Sequence, residues 1–187
     1  MAQPFVMLQP PETVVLDLSV EPVIFPETPW TIGRYDEHRP GLYRDELFGG
    51  ERNLHVGVDF GGPVGVAVHA FAAGVITHAG YNPAPGDYGH VLVSEHEHEG
   101  RPIYALWGHL AAASLERSPV GATFEAGQVL GWLGDAHENG GWPPHLHFQL
   151  SWARPQTHDL PGVVALAKRD AALAQYPDPR MVLGPLY

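Results

Sequence analysis

The chain has 187 residues, enough for one domain with a real core and short of what two comfortable domains need. Formal charge is −11 with a single lysine, Lys168, which argues against nucleic acid or an anionic membrane as a partner. Cysteine is absent, so disulfides, thiolate metal sites and cysteine nucleophiles are excluded and any metal must be held by His, Asp or Glu.

The 22 glycines and 19 prolines favour a turn-rich, mainly β architecture. Residues 1–50 read as a proline-punctuated arm that packs on the domain, with one alternating run, Thr13 to Val20, as a strand. No basic n-region or membrane-length apolar run is seen, so the expectation is a soluble, cytoplasmic chain unless a leader has been removed. From Asn53 short apolar runs are cut by glycine: Leu54 to Phe60, Val64 to Ala70, Gly74 to Ala79, Val91 to Glu95, Ile103 to Leu110, Val129 to Gly134 and Leu146 to Trp152. Seven such runs predict an antiparallel β-sheet core over residues 51–152. Leu110 to Arg117 reads as one short helical turn, and Gly162 to Tyr176 as an amphipathic helix. Residues 153–187, helix and strap, are expected to belong to the same unit.

The chemistry concentrates in His145-Leu146-His147. On a strand, residues i and i+2 share a face, so the two imidazoles stand side by side. Alone, such a pair is no more than two partly exposed histidines. Upstream, His55-Val56-Gly57-Val58-Asp59 adds a histidine and a carboxylate. On a straight strand these would lie roughly 13 Å apart at a rise of ~3.3 Å per residue, too far for one ion. Gly57 lets the backbone bend and bring them together. His55, Asp59 and His147 then make the ligand complement of a zinc site with its fourth position open. Such a site lowers the pKa of its water toward ~7 and polarises a carbonyl, which is a hydrolase's equipment. His109, in Trp107-Gly108-His109-Leu110, and His145 are left as the two unligated histidines, one to take a proton and one to hydrogen-bond an oxyanion.

These motifs, with Ala70-x-Ala72-x-Gly74-Val75-Ile76, Gly89-His90-Val91-Leu92-Val93 followed by His96, and Gly127-Gln128-Val129-Leu130-Gly131, occur in an order that resembles the lysostaphin-type (M23) zinc metallopeptidases. The resemblance runs from about Asn53 to Leu150. It implies zinc on His55, Asp59 and His147, catalytic histidines at His109 and His145, and a β-sheet core with a groove floored by the metal. It also implies hydrolysis of peptide bonds in peptidoglycan-like or glycine- and D-amino-acid-containing peptides, with a peptide or peptidoglycan fragment as substrate. Glu138-Asn139-Gly140-Gly141-Trp142-Pro143-Pro144 replaces the usual small-residue lead to the HxH strand and puts Trp142 at the groove edge. With Gly33-Arg34-Tyr35, Asp159-Leu160-Pro161-Gly162-Val163 and Pro177-Asp178-Pro179, this looks like the M23 branch also found fused to kinase-like and class III aminotransferase modules. An acidic chain without a leader sits poorly with an anionic wall as substrate.

Ser94 to Gly100, with two histidines and three carboxylates, imitates a second metal site but reads as a solvated hairpin tip, with His96 allowed a place near the groove. The alternating hairpin motifs also resemble lipoyl- and biotin-carrier domains, but those need a lysine at a hairpin tip, and Lys168 falls in the expected helix. A non-catalytic zinc-containing module that binds a peptide or glycan stays open as the alternative. Oligomeric state is not legible.

Overall fold

The computed structural model describes residues 3–187; Met1 and Ala2, the start of the expected arm, lie outside the described residues. In chain order come β1 (Val14–Val15), β2 (Thr31–Gly33), β3 (Glu37–His38), β4 (Arg52–His55), β5 (Val58–Gly61), β6 (Ala67–His69), β7 (Gly74–Asn82), β8 (Gly89–His98) and β9 (Arg101–Leu110). Then follow α1 (Ala113–Arg117), β10 (Thr123–Phe124), β11 (Val129–Trp132), β12 (His145–Ser151), β13 (Val163–Ala165), α2 (Arg169–Gln175) and α3 (Arg180–Leu183). The architecture is mainly β, as the glycine-cut apolar runs require, and among the described residues no helix is long and apolar enough to cross a membrane.

Eight strands build one sheet in the order β1-β2-β5-β12-β9-β8-β7-β10. All its pairings are antiparallel except β1 with β2, which is parallel. Residues alternate across it. Leu146, Phe148 and Leu150 of β12 and Ile103, Ala105 and Trp107 of β9 enter one core cluster, shared with Val68 of β6 and with Leu130 of β11. Leu106 of β9 and Val91 and Val93 of β8 enter a second cluster on the other face, with Leu54 of β4, Val164 of β13 and Ala172 of α2. The sheet is therefore covered on both sides, by the β11-β6 pair on one and by the β13-β4-β3 sheet on the other. His145, His147 and Gln149 have the parity opposite to Leu146 and Phe148 and face the second layer.

Three expectations change. The run Leu54 to Phe60 is not one strand: β4 ends at His55 and β5 starts at Val58, in different sheets. Gly162 to Tyr176 is not one helix, because Val163 and Val164 are buried and pair with β4, Val163 opposite His55; the helical part is α2. β-branched residues with a free strand edge beside them follow that edge rather than a helical stripe. The third concerns Ser94 to Gly100. β8 continues to His98, so only Glu99 and Gly100, both at positive φ, form the tip. Ser94 and His96 are buried, and the His96 ring stacks among Phe71, Phe124 and Trp107, away from the groove.

Within residues 3–50, β2 pairs with β5 and β3 with β4. Of the run Thr13 to Val20, only Val14 and Val15 are strand.

Candidate metal centre and active site

The break at Val56-Gly57 turns the chain from one layer into the other, so His55 and Asp59 face each other across the gap. His55 Nε2 lies 3.2 Å from Asp59 Oδ1. Gly57 is needed here for a close approach: a Cβ at that position would stand 2.5 Å from His147 Cε1. β12 supplies the third group, with His147 opposite Asp59 in register. His147 Nδ1 is 3.1 Å from Asp59 Oδ1 and 3.1 Å from His55 Nε2.

Three donors at mutual distances of 3.1–3.2 Å form a triangle. Donors around a four-coordinate zinc at ~2.0–2.1 Å stand about 3.3 Å apart, so His55, Asp59 and His147 fit such an ion. The groups behind them fix the donor atoms. His55 Nδ1–H donates to Arg34 O at 2.8 Å, leaving Nε2 as the inward lone pair. His147 Nε2–H donates to Gln149 Oε1 at 3.0 Å, leaving Nδ1 inward. Asp59 Oδ2 accepts from Arg39 Nη1 at 2.8 Å. This outer shell orients ligands and sets their tautomers.

Electrostatics follow from burial and from Arg39. Burial alone would raise the Asp59 pKa, but His55, Arg39 and the hydrogen bonds from His147 and His55 hold it well below the usual carboxylate range. Burial and then the Arg39 charge push His55 down to about 4, so its imidazole is neutral near pH 7. Arg39 is itself buried, paired to Glu37 Oε2 at 2.8 Å and bonded to Tyr43 Oη at 2.9 Å.

His145 and His109 stand beside this triangle, ring centroids 4.2 Å apart. Each has its Nδ1–H tied to a carbonyl, Pro143 O at 2.7 Å and Asn139 O at 2.8 Å. Both therefore carry the basic lone pair on Nε2. Burial lowers the pKa of both, and that of His109 well below the ordinary value, with His145 and His147 adding to the effect.

His109 reaches this place by a bulge. Ile103, Ala105 and Trp107 all enter the first core, and simple alternation would send His109 after them. Instead His90 pairs with Leu110 and Leu92 with Trp107, one extra residue on β9, and His109 takes φ 64°. A bulge of this kind re-aims a side chain. His109 N–H donates to Tyr88 O at 2.9 Å. Gly108 leaves room for the Tyr88 ring: a Cβ there would lie 2.7 Å from Tyr88 Cδ1.

A family model described as "Peptidase family M23" matches residues 53–159, more than half of the chain. The chain belongs to peptidase family M23. This M23 chain is 35% identical over 96 residues to the DD-carboxypeptidase/endopeptidase Mpg of Neisseria meningitidis, covering 51% of this chain and 20% of that protein. It is 34% identical over 97 residues to lysostaphin of Staphylococcus simulans, covering 51% of this chain and 18% of that protein. The match thus spans about a fifth of the length of these relatives. Among solved structures, that of LytU superposes with a TM-score of 0.50 at 21% identity, covering 90% of this chain and 99% of that one, a likeness of fold.

The M23 site also holds residues that sequence reading missed. Gln149 was signalled, lying two residues beyond His147 on the same strand face. Asn139 was visible only as part of an Asn-Gly-Gly turn. It is fully buried, its Nδ2 donates to Gly134 O and Trp142 O, and its Oδ1 accepts from the N–H groups of Gly141 and Trp142. This shapes the loop before β12, and Trp142 Nε1–H closes it on Gly86 O at 3.0 Å. Tyr88 donates its hydroxyl to Leu160 O at 2.9 Å and packs its ring near both His109 and His147. Arg39 gave no signal.

Proposed function

We propose that the chain is a zinc metalloendopeptidase that cleaves peptide bonds in peptidoglycan-like or glycine- and D-amino-acid-containing peptides. The observation that carries this is the triangle of His55 Nε2, Asp59 Oδ1 and His147 Nδ1 with two further imidazoles beside it, each presenting Nε2. When bound, zinc would supply a Lewis acid that brings the pKa of a water toward ~7 and polarises the scissile carbonyl. Asp59, held ionised by Arg39, contributes one negative charge to balance the ion. Of His145 and His109, both neutral and carbonyl-anchored, one serves as the proton acceptor for the attacking water and the other as the hydrogen-bond partner of the developing oxyanion. Their fixed Nδ1–H bonds mean that only Nε2 exchanges the proton.

The substrate class follows the activities that the relatives are named for, those of a DD-carboxypeptidase/endopeptidase and a glycyl-glycine endopeptidase. Within the family, the runs Gly33-Arg34-Tyr35, Asp159 to Val163 and Pro177-Asp178-Pro179 support placement in the branch also found fused to kinase-like and class III aminotransferase modules. The test is incubation of the zinc-loaded chain with purified peptidoglycan and with glycine-rich and D-amino-acid peptides. Cleavage by the wild type and none by His145→Ala is expected. Binding without cleavage by the wild type would favour a non-catalytic module.

A further inference from the structure

The five residues above line a cleft of ≈ 570 Å³ whose other walls are largely apolar. Phe25 of the N-terminal arm and Leu47 of the 46–48 turn stand in its lining with large exposed surfaces, 48% and 37%. Trp142 lines the same cleft beside Tyr43, ring centroids 6.1 Å apart. Exposed bulky apolar groups gathered in one concavity are the mark of a pocket for an apolar ligand group. Carboxylates outnumber guanidinium groups in the lining of the cleft. Glu27, Asp87 and Asp159 line it, and among the described residues none of them forms an ion pair. The two lining arginines already have partners: Arg39 is ion-paired with Glu37 and Asp59, and Arg52 donates to the carbonyls of Val163 and Leu47. A substrate carboxylate beside Glu27, Asp87 or Asp159 would meet a like charge, and of the two lining cations Arg39 is already neutralised by its ion pairs.

We propose that this cleft selects, among peptides, those that carry a bulky apolar side chain and no carboxylate beside the scissile bond, and that oligoglycine is a poor substrate. This rests on the peptidase reading above and narrows it. An oligoglycine leaves Phe25 and Leu47 wet, whereas an aromatic or branched side chain covers them. A pocket of this kind discriminates by ~10–200-fold.

The experiment uses the zinc-loaded chain and a series of internally quenched peptides that differ at one position beside the cleaved bond: Gly, Leu, Phe or Glu. The same peptides are bound, uncleaved, to His145→Ala and followed by fluorescence anisotropy. The expected order of kcat/KM is Phe and Leu ~10–200-fold above Gly, with Glu below Gly. The same order is expected in binding, and the pair Phe25→Ala with Leu47→Ala should collapse the Phe-to-Gly ratio toward one. Equal handling of Gly and Phe, a preference for Glu, or a ratio untouched by the double substitution overturns the proposal. Absence of cleavage for every peptide would sink the peptidase reading, while the binding order still decides the selectivity of the cleft.

Discussion

Asp59 divides its two oxygens: Oδ1 faces the imidazoles of His55 and His147, and Oδ2 lies 2.8 Å from Arg39 Nη1. The side chain of Arg39 is 1% exposed and also holds Glu37. The buried guanidinium therefore fixes both the charge and the rotation of the carboxylate.

Replacing Arg39 by Met leaves Asp59 and Glu37 without their partner in a buried setting. A loss of ~3–5 kcal/mol in stability is expected, together with a 10–100-fold loss in zinc affinity. Arg39→Lys keeps the charge but loses the fork, and should fall between the two. Urea unfolding with and without zinc, and competition with a chelator, measure both effects.

Gln149→Leu removes the acceptor for His147 Nε2–H, at present 3.0 Å away. The ring then loses what holds its Nδ1 inward. Zinc affinity should fall 10–100-fold with the fold retained by circular dichroism. Gly57→Ala should be harsher, because its Cβ would lie 2.5 Å from His147 Cε1 with the Phe148 carbonyl at 3.0 Å behind it.

His109 sits at φ 64°, where a Cβ costs roughly 1–2 kcal/mol and glycine is unpenalised. Both His109→Ala and His109→Gly lose the imidazole and should be inactive. The glycine variant should nonetheless be the more stable of the two by about 1 kcal/mol in chemical denaturation. Equal stabilities would mean that the bulge relaxes when the ring is gone.

His96 is buried and its pKa is pushed down to about 4, chiefly by burial. Its Nδ1–H donates to Ala73 O, Ser94 Oγ–H donates to its Nε2, and Trp107 Nε1–H donates to Ser94 Oγ. In the unfolded chain it titrates near ~6.5, so between ~6.5 and 4 the unfolded state binds more protons than the folded one. Stability is therefore full above pH ~6.5 and falls as pH drops toward 4. This residue alone contributes about 3 kcal/mol across that window at 1.36 kcal/mol per unit. His96→Gln should flatten the wild-type slope of stability against pH by that amount.

The parts of the site that were legible in sequence are those written in local spacing. His145 and His147 share a face because a strand alternates, and Gly57 between His55 and Asp59 announced a bend. Arg39 was not legible, because it lies 20 residues before Asp59 in a proline- and glycine-rich stretch without periodicity, and only the packing of β3 against β4 brings it in. The orientation of His109 depends on a bulge set by pairing with β8, which no local pattern encodes. The helix expected from Gly162 failed at its start for a similar reason: the edge of β4 was there to be paired. The split of Leu54 to Phe60 into two layers was half visible, since Gly57 marked the place but not the change of sheet.

The two histidines of β12 are proposed to have unequal roles, His147 holding the metal and His145 working on the water or the oxyanion. Calorimetric zinc titration of His147→Ala and His145→Ala, each followed by a cleavage assay, tests this assignment most directly. His147→Ala is expected to bind no zinc at the site, whereas His145→Ala binds one zinc and cleaves nothing. Zinc binding retained by His147→Ala, or peptide cleavage at the wild-type rate by His145→Ala, would contradict the assignment.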